Sequence, residues 1–191
     1  MRVMWSPKLH RHSHWIICLI MGLLLTTLTV CATGGPQLVD HAFGFDAVRD
    51  SPDAQILDYR YGDSQLPGAR ASKSEIRREV VRQGTNINGP MRRGDSLYVK
   101  WRIKSTGQIY EDTVDLKSRL PRDITHDRIH FIVKGSQLYV YLITSEKLRP
   151  NPCPPPIERH KLRKSVNPND RIFATYCSLK IATLYPDQPK Q

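Results

Sequence analysis

The 191-residue sequence predicts a mainly β domain, an antiparallel sandwich or half-barrel with one short helix, behind an N-terminal signal or anchor segment. Two hairpin patterns, over residues 96–116 and 128–143, supply four of the expected strands. Residues 56–61 and 171–185 add two more strands, whereas helical periodicity is clear only in residues 72–84. We therefore expect five or six strands packed with a single helix.

The N-terminal segment has the composition of a bacterial secretory signal. Arg2, Lys8 and Arg11 precede the apolar run Trp15–Val30, which no charged residue interrupts. The run is shorter than the roughly 20 residues that a membrane-spanning helix needs. We therefore expect export to the periplasmic face of a membrane. Export argues against nucleic acid as a partner, which the net charge of +11 would otherwise favour.

Cys31 follows the apolar run in the stretch LTVCATGG, and three fates are open to it. Lipoprotein processing would acylate Cys31, although Val30 is larger than the Gly, Ala or Ser usual before a lipidated cysteine. Cleavage after Ala32 would discard Cys31 and release a soluble periplasmic domain, and an uncleaved anchor is the third alternative. The predicted organisation is a signal over residues 1–31, a tether over 32–54, one β domain over 55–186 and a tail over 187–191.

The helix is predicted over residues 72–84, SKSEIRREVVRQG. Ser72 or Ser74 caps its start and Gly84 ends it. Ile76 and Val80 form a narrow apolar stripe that we expect to lie on a sheet. The opposite face is either a solvated basic surface or a contact for an anionic partner, and it carries Arg77, Arg78 and Arg82.

The first hairpin, residues 96–116, alternates apolar and polar side chains with the period of a half-buried strand. A turn at Thr106–Gly107 predicts the cross-strand pairs Ile103–Tyr110, Val99–Val114 and Leu97–Leu116, with Arg102–Glu111 and Tyr98–Asp115 on the other face. The carboxylates of this hairpin are therefore explained by cross-strand pairing and not by acid–base chemistry. Asp112 is the misfit, because this register sets it opposite Trp101 on the apolar face.

The second hairpin, residues 128–143, has a two-residue turn at Gly135–Ser136 of type II′. This turn predicts the pairs Val133–Leu138, Phe131–Val140 and Ile129–Leu142. Both faces of these strands are largely apolar, so we expect them in the middle of a sheet that is covered on each side. The last strand is predicted over Arg171–Tyr185.

Four cysteines are present, and Cys18 lies inside the apolar N-terminal run, where it is a small hydrophobic residue. Cys153 and Cys177 remain in the exported domain, and an oxidising compartment favours a disulfide between them. The bridge would pin the stretch PNPCPPP to the sheet and stabilise the fold by roughly 3 kcal/mol through chain entropy. Zinc is a weaker alternative, because the sequence has no CxxC spacing.

No catalytic motif is present: GxSxG, HExxH and a Walker loop are all missing from the sequence. His126 and His130 would share one face of a strand, but a polar approach to the strand explains them better than a metal site. We therefore expect no enzyme activity, no metal and no cofactor. A basic loop after Cys153 is either solvated or a contact for an anionic partner, and it contains Arg159, Lys161, Arg163 and Lys164.

Residues 94–144 include YVKWRIKSTGQIYEDTVDLKSRLP and IHFIVKGSQLYVYLI. These segments resemble a group of largely uncharacterised proteobacterial lipoproteins, whose members often occur beside lipase-type toxins of the type VI secretion system. The resemblance implies a periplasmic immunity or accessory protein that binds a toxic phospholipase, and it implies no active-site residues. The alternative is a structural or assembly lipoprotein of the cell envelope.

Overall fold

The computed structural model describes residues 38–187, which form eight strands and four short helices arranged as a β-sandwich. The elements are β1 (Leu38–Asp46), α1 (Ala47–Asp50), β2 (Ala54–Tyr61), α2 (Lys73–Arg77), β3 (Gly84–Arg92), β4 (Ser96–Ile103), β5 (Ile109–Asp115), β6 (Arg128–Lys134), β7 (Gln137–Lys147), α3 (Pro156–Arg163), α4 (Pro168–Tyr176) and β8 (Leu179–Tyr185). One sheet has the order β3-β1-β6-β7-β8 and the other β2-β4-β5. Neighbouring strands are antiparallel except β1 and β6, which are parallel. The predicted fold class is confirmed.

The main core lies between the two sheets and is rich in aromatic rings. Phe43 of β1 stacks on Tyr61 of β2 with 4.7 Å between ring centroids, and Phe45 stacks on Phe131 of β6 at 4.4 Å. Trp101 of β4 is completely buried in the same core. Each of these large rings removes a large apolar area from water, which stabilises the packing of the two sheets.

A second, smaller core covers the outer face of the five-stranded sheet. Ile132, Tyr141 and Ile143 of β6 and β7 pack there with Ile172 of α4. The two strands are therefore buried on both faces, as their sequence predicts. None of the helices in residues 38–187 has the length and apolar character needed to span a membrane.

The register predicted for the second hairpin is confirmed residue by residue. Val133 pairs with Leu138, Phe131 with Val140 and Ile129 with Leu142. Gly135 has φ of +54°, the left-handed conformation that the first position of a type II′ turn requires. The turn type and the hydrophobic pattern agree here, so a single register satisfies both.

The register predicted for the first hairpin is wrong by two residues. Val99 lies opposite Asp112 and Trp101 opposite Tyr110, because Ile103 donates its backbone N–H to Gln108 and residues 104–107 form the loop, in which Gly107 takes φ of +73°. A shift of two residues leaves every side chain on its original face, so the alternation of apolar residues does not exclude it. Glu111 consequently lies 3.6 Å from Lys100 and not beside Arg102.

The predicted tether over residues 32–54 is wrong from Leu38 onward, because β1 lies inside the larger sheet between β3 and β6. Residues 41–45 are buried, so β1 lacks the alternation of a half-exposed strand. Gly44 also hides the pattern, and it is there because β3 comes close: a Cβ at Gly44 would lie 2.6 Å from the carbonyl oxygen of Thr85.

The predicted helix over residues 72–84 is much shorter than expected. Its start is correct, since Ser72 and Glu75 form a reciprocal capping box. The chain leaves the helix at Glu79, which has φ of +52°, and Ile76 and Val80 are 38% and 60% exposed. The stripe therefore covers no sheet, and residue 84 begins β3 instead of ending a helix.

The predicted last strand is half correct, because residues 179–185 form β8 while residues 168–176 form α4. The side chain of Asn167 caps α4 and Pro168 occupies its first turn, a combination that favours a helix start. Pro156 likewise opens α3 in a stretch expected to be a loop.

Replacing Trp101 with phenylalanine is expected to lower the free energy of unfolding by about 2 kcal/mol. The indole Nε1 donates a 2.8 Å hydrogen bond to the carbonyl oxygen of Gly135, which ties β4 to the β6–β7 turn of the other sheet. Phenylalanine has no N–H to donate to the Gly135 carbonyl oxygen, and its smaller ring leaves a gap in the core. Urea unfolding measures the change, with Tyr98→Phe as the control, since Tyr98 donates its bond to Glu111 at the surface. Equal stability of the two variants would contradict the prediction.

Candidate functional site

The predicted disulfide between Cys153 and Cys177 is present, and it fixes the segment that carries the basic residues. The two Cα atoms lie 5.0 Å apart. Cys177 is buried directly after α4, and not on the face of a strand as the sequence suggested. Cys153 lies just before α3, so the bridge links the start of one helix to the end of the next.

The basic residues of α3 and its C-cap form a surface, here called the α3 basic surface: Arg159, which is half-buried, and Lys161, Arg163 and Lys164, which are exposed. Helix α3 turns Leu162 partly inward and leaves Ile157 78% exposed. None of the four cations forms an ion pair with a described residue. All 18 Asp and Glu residues of the chain fall between Asp40 and Asp187, so every acidic side chain is among those described.

The arginines around α2 are more neutralised than those of α3. Arg82 pairs with Glu75 at 3.1 Å, and Arg78 donates to the carbonyl oxygen of Ser74 within its own turn. Arg77 is exposed. The short helix therefore presents a weaker positive surface than the sequence alone suggests.

A cleft that the sequence did not predict opens on the outer face of the larger sheet. It has a volume of about 600 Å³ and lies where β1, β3 and β6 meet α1 and the end of α4. Gly44 and Arg128 both line it, and Nη1 of Arg128 donates a 2.6 Å hydrogen bond to Oδ1 of Asn86. We call this feature the Arg128 cleft; its remaining lining comes from Phe45, Asp46, Val48, Arg49, Gln83, Gly84, Thr85, His130, Thr175 and Tyr176.

Beneath one wall of the cleft lies a buried charge cluster. Asp50 accepts hydrogen bonds from Arg49 at 2.9 and 3.2 Å and lies 3.1 Å from Nε2 of His130. The side chains of Asp50 and His130 are 4% and 3% exposed. Burial by itself would raise the pKa of Asp50, but the hydrogen bonds from His130 and Arg49 outweigh it and hold the pKa below the usual aspartate value. An ionised carboxylate only accepts, so Nε2 of His130 carries the proton of this bond.

The same cluster fastens the helices to the sheet. Arg171 of α4 donates to the backbone carbonyl of Asp50 at 3.0 Å, and Ser51 accepts from the backbone of Val133 in β6. The ring of Tyr176 meets that of His130 edge-on, with centroids 5.8 Å apart. The cluster therefore joins α1, β6 and α4 around the cleft.

The two histidines considered as metal ligands do not come together. His126 is exposed with φ of +64° ahead of β6, 3.4 Å from Asp40, whereas His130 is buried against Asp50. No group of three His, Cys, Asp or Glu side chains in residues 38–187 has the geometry of a metal site. Two polar features of the described residues are treated below as candidates for binding a ligand: the α3 basic surface and the Arg128 cleft.

Cys31, the predicted lipidation site, and the signal segment over residues 1–31 lie outside the described residues. Comparisons with family models, curated proteins and solved structures found no match to this chain. The observations define a disulfide-linked β-sandwich with an exposed basic helix and a polar cleft.

Proposed function

We propose that the chain is an exported, membrane-tethered binding protein that neutralises a phospholipase effector of a type VI secretion system. The observation that carries the proposal is the α3 basic surface, in which four cations without ion-pair partners are held by a disulfide. The N-terminal signal pattern and the resemblance over residues 94–144 support the same compartment and role.

A protein partner with an acidic surface suits this arrangement physically. Exposed cations that have no internal carboxylate keep their full attraction for an external one. Complementary charge accelerates association and suppresses wrong partners more than it adds affinity. The exposed side chain of Ile157 lies in the first turn of the same helix and gives the contact an apolar anchor.

The proposal is tested by co-expression. A lipase encoded beside this gene is directed to the periplasm, and survival is compared with and without the full-length protein. We expect growth to be restored when the protein is present. Equal killing in both strains would refute the immunity role and leave the alternative, a structural or assembly lipoprotein of the envelope.

Neutralising the α3 basic surface is expected to reduce the association rate with the effector about 10-fold or more at low salt. The variant replaces Arg159, Lys161, Arg163 and Lys164 with glutamine. The control makes the same change of net charge at four other exposed cations: Lys117, Arg122, Lys134 and Arg149. Surface plasmon resonance at two salt concentrations measures both. Similar slowing by the two variants would show that net charge, and not this helix, controls binding.

A third variant separates the two basic regions. Replacing Arg77 and Arg78 with glutamine removes two cations around α2 that have no carboxylate partner. We expect an association rate within about two-fold of the wild type, because Glu75 and Glu79 lie beside these arginines and offset their field. A larger loss than that of the α3 variant would place the contact on α2.

A further inference from the structure

We infer that the Arg128 cleft binds a small ligand through an oxyanion, either a carboxylate or a phosphate group. Its volume of about 600 Å³ lies within the range of small-molecule sites. The backbone at Gly44 leaves no room for a side chain, because a Cβ there would lie 2.6 Å from the carbonyl oxygen of Thr85. The same Cβ would lie 3.3 Å from Nη1 of Arg128, so a glycine here lets the guanidinium lie close to β1.

Arg128 is the cation that would hold the oxyanion. The Arg128 guanidinium donates a hydrogen bond to the neutral amide of Asn86. No described carboxylate lies within ion-pair distance of Arg128. Because every Asp and Glu of the chain is described, no acidic side chain remains to neutralise it. A guanidinium has five donors in a planar fork that matches carboxylate and phosphate oxygens. Asn86 accepts from one of the five N–H donors of Arg128 and so fixes the orientation of the guanidinium plane.

The acidic groups nearest the cleft are already used by other donors. Asp46 caps α1 by accepting from the backbone of Arg49, and its carboxylate lies 3.8 Å from the Arg49 guanidinium. Asp50 is satisfied by Arg49 and His130. Arg128 therefore has no carboxylate within ion-pair distance, but Arg49 is shared by Asp46 and Asp50, so the charges of these four side chains sum to zero. An anion would be held here by direct hydrogen bonds to the Arg128 guanidinium and not by a net positive field.

Tyr176 is a further polar residue in the lining of the cleft. Burial raises the pKa of Tyr176, the positive charges of Arg128 and Arg49 oppose the rise, and the negative charges of Asp50 and Asp46 add to it. Its hydroxyl is therefore protonated at neutral pH and able to donate to an oxyanion. Val48 at the rim is 71% exposed and offers an apolar contact to the rest of the ligand.

The test titrates inorganic phosphate and succinate, at constant ionic strength, into the full-length wild type and four variants. Backbone amide NMR shifts report where each probe binds. We expect saturable shifts at Gly44, Asn86 and Arg128 for at least one probe. Arg128→Gln should weaken binding of the probe about 10-fold or more. The control Lys134→Gln removes one positive charge from the same strand and should change the affinity by no more than about two-fold.

Two further variants keep the test decisive if Arg128→Gln disturbs the fold. Arg128→Lys keeps the positive charge but lacks the planar set of donors, so its affinity for the probe should lie between those of the wild type and Arg128→Gln. Tyr176→Phe keeps the ring on His130 and removes the hydroxyl, and should weaken binding about two- to five-fold. Non-saturable shifts, shifts confined to α3, or equal binding by Arg128→Gln and the wild type would each overturn the inference.

The source of a phosphate ligand is separated by two more probes. Glycerol 3-phosphate represents a soluble ligand, and vesicles of phosphatidylglycerol represent a lipid headgroup. If only the binding of glycerol 3-phosphate depends on Arg128, the ligand is a soluble phosphate compound. If the binding of the vesicles depends on Arg128 as well, the ligand is a lipid headgroup. Binding of either probe that is indifferent to Arg128→Gln counts against the cleft.

Discussion

Replacing Asp50 with alanine is expected to lower the free energy of unfolding by about 3–5 kcal/mol, the usual result of removing one member of a buried charged cluster. Asp50 accepts two hydrogen bonds from Arg49 and one from His130, and its side chain is 4% exposed. Alanine leaves a buried imidazole without its acceptor and a space where the carboxylate was. Thermal unfolding at pH 7 should show Tm lower by roughly 10 °C.

The same group makes stability depend on pH. The folded pKa of Asp50 lies below its usual value, so its stabilisation is fully present above the unfolded pKa of about 3.9. That stabilisation is lost as the pH falls through the folded pKa. The difference between the wild type and Asp50→Asn should therefore be constant from pH 7 to about pH 5 and shrink below that. A difference that stays constant down to pH 2 would contradict this account.

A matched control distinguishes burial from charge. Asp63 pairs with Arg92 at 2.6 Å, and its side chain is 65% exposed. Asp63→Asn removes the same charge from an ion pair at the surface, so we expect a loss of less than about 1 kcal/mol. Comparable losses for Asp50→Asn and Asp63→Asn would show that burial of Asp50 adds nothing.

The fold was predictable where two independent signals agreed. The β6–β7 hairpin followed from Gly135 and from apolar residues on both strands, and its register is correct. The β4–β5 hairpin had only the alternation, which cannot detect a shift of two residues. β1 had neither, because a strand buried on both faces and interrupted by Gly44 resembles a loop in sequence.

Of the features at the candidate sites, the sequence predicted the disulfide but not the charge cluster or the cleft. Cys153 and Cys177 are the two cysteines outside the N-terminal segment, so their pairing followed from composition and compartment. The charge cluster joins Asp50 and His130 across 80 residues of chain, through the parallel pairing of β1 with β6. No short-range sequence pattern predicts that β1 and β6, which are far apart in the chain, pair in parallel. The cleft beside these two strands could therefore not be predicted from the sequence.

Replacing Cys153 and Cys177 together with alanine is expected to lower the free energy of unfolding by about 3.5 kcal/mol, the chain entropy of closing a loop of this length. The two residues are separated by 24 positions. Urea unfolding of the oxidised wild type, the reduced wild type and the double variant measures the change. The reduced wild type should match the variant, and a reductant should leave the variant unchanged. Equal stability of oxidised and reduced wild type would refute the prediction.

The disulfide is also expected to control the α3 basic surface. Leu148, before α3, donates its backbone N–H to the carbonyl oxygen of Ser178, and Ser165, after α3, is hydrogen-bonded to Asp170 and Arg171. The bridge and the packing of α3 on α4 are its further attachments. Without the bridge, amide hydrogens of α3 should exchange faster while those of β6 change only with global stability. If the α3 basic surface binds the proposed effector, the association rate should then fall even under conditions where the sandwich stays folded. An unchanged rate in the double variant would separate the disulfide from binding and restrict its role to stability.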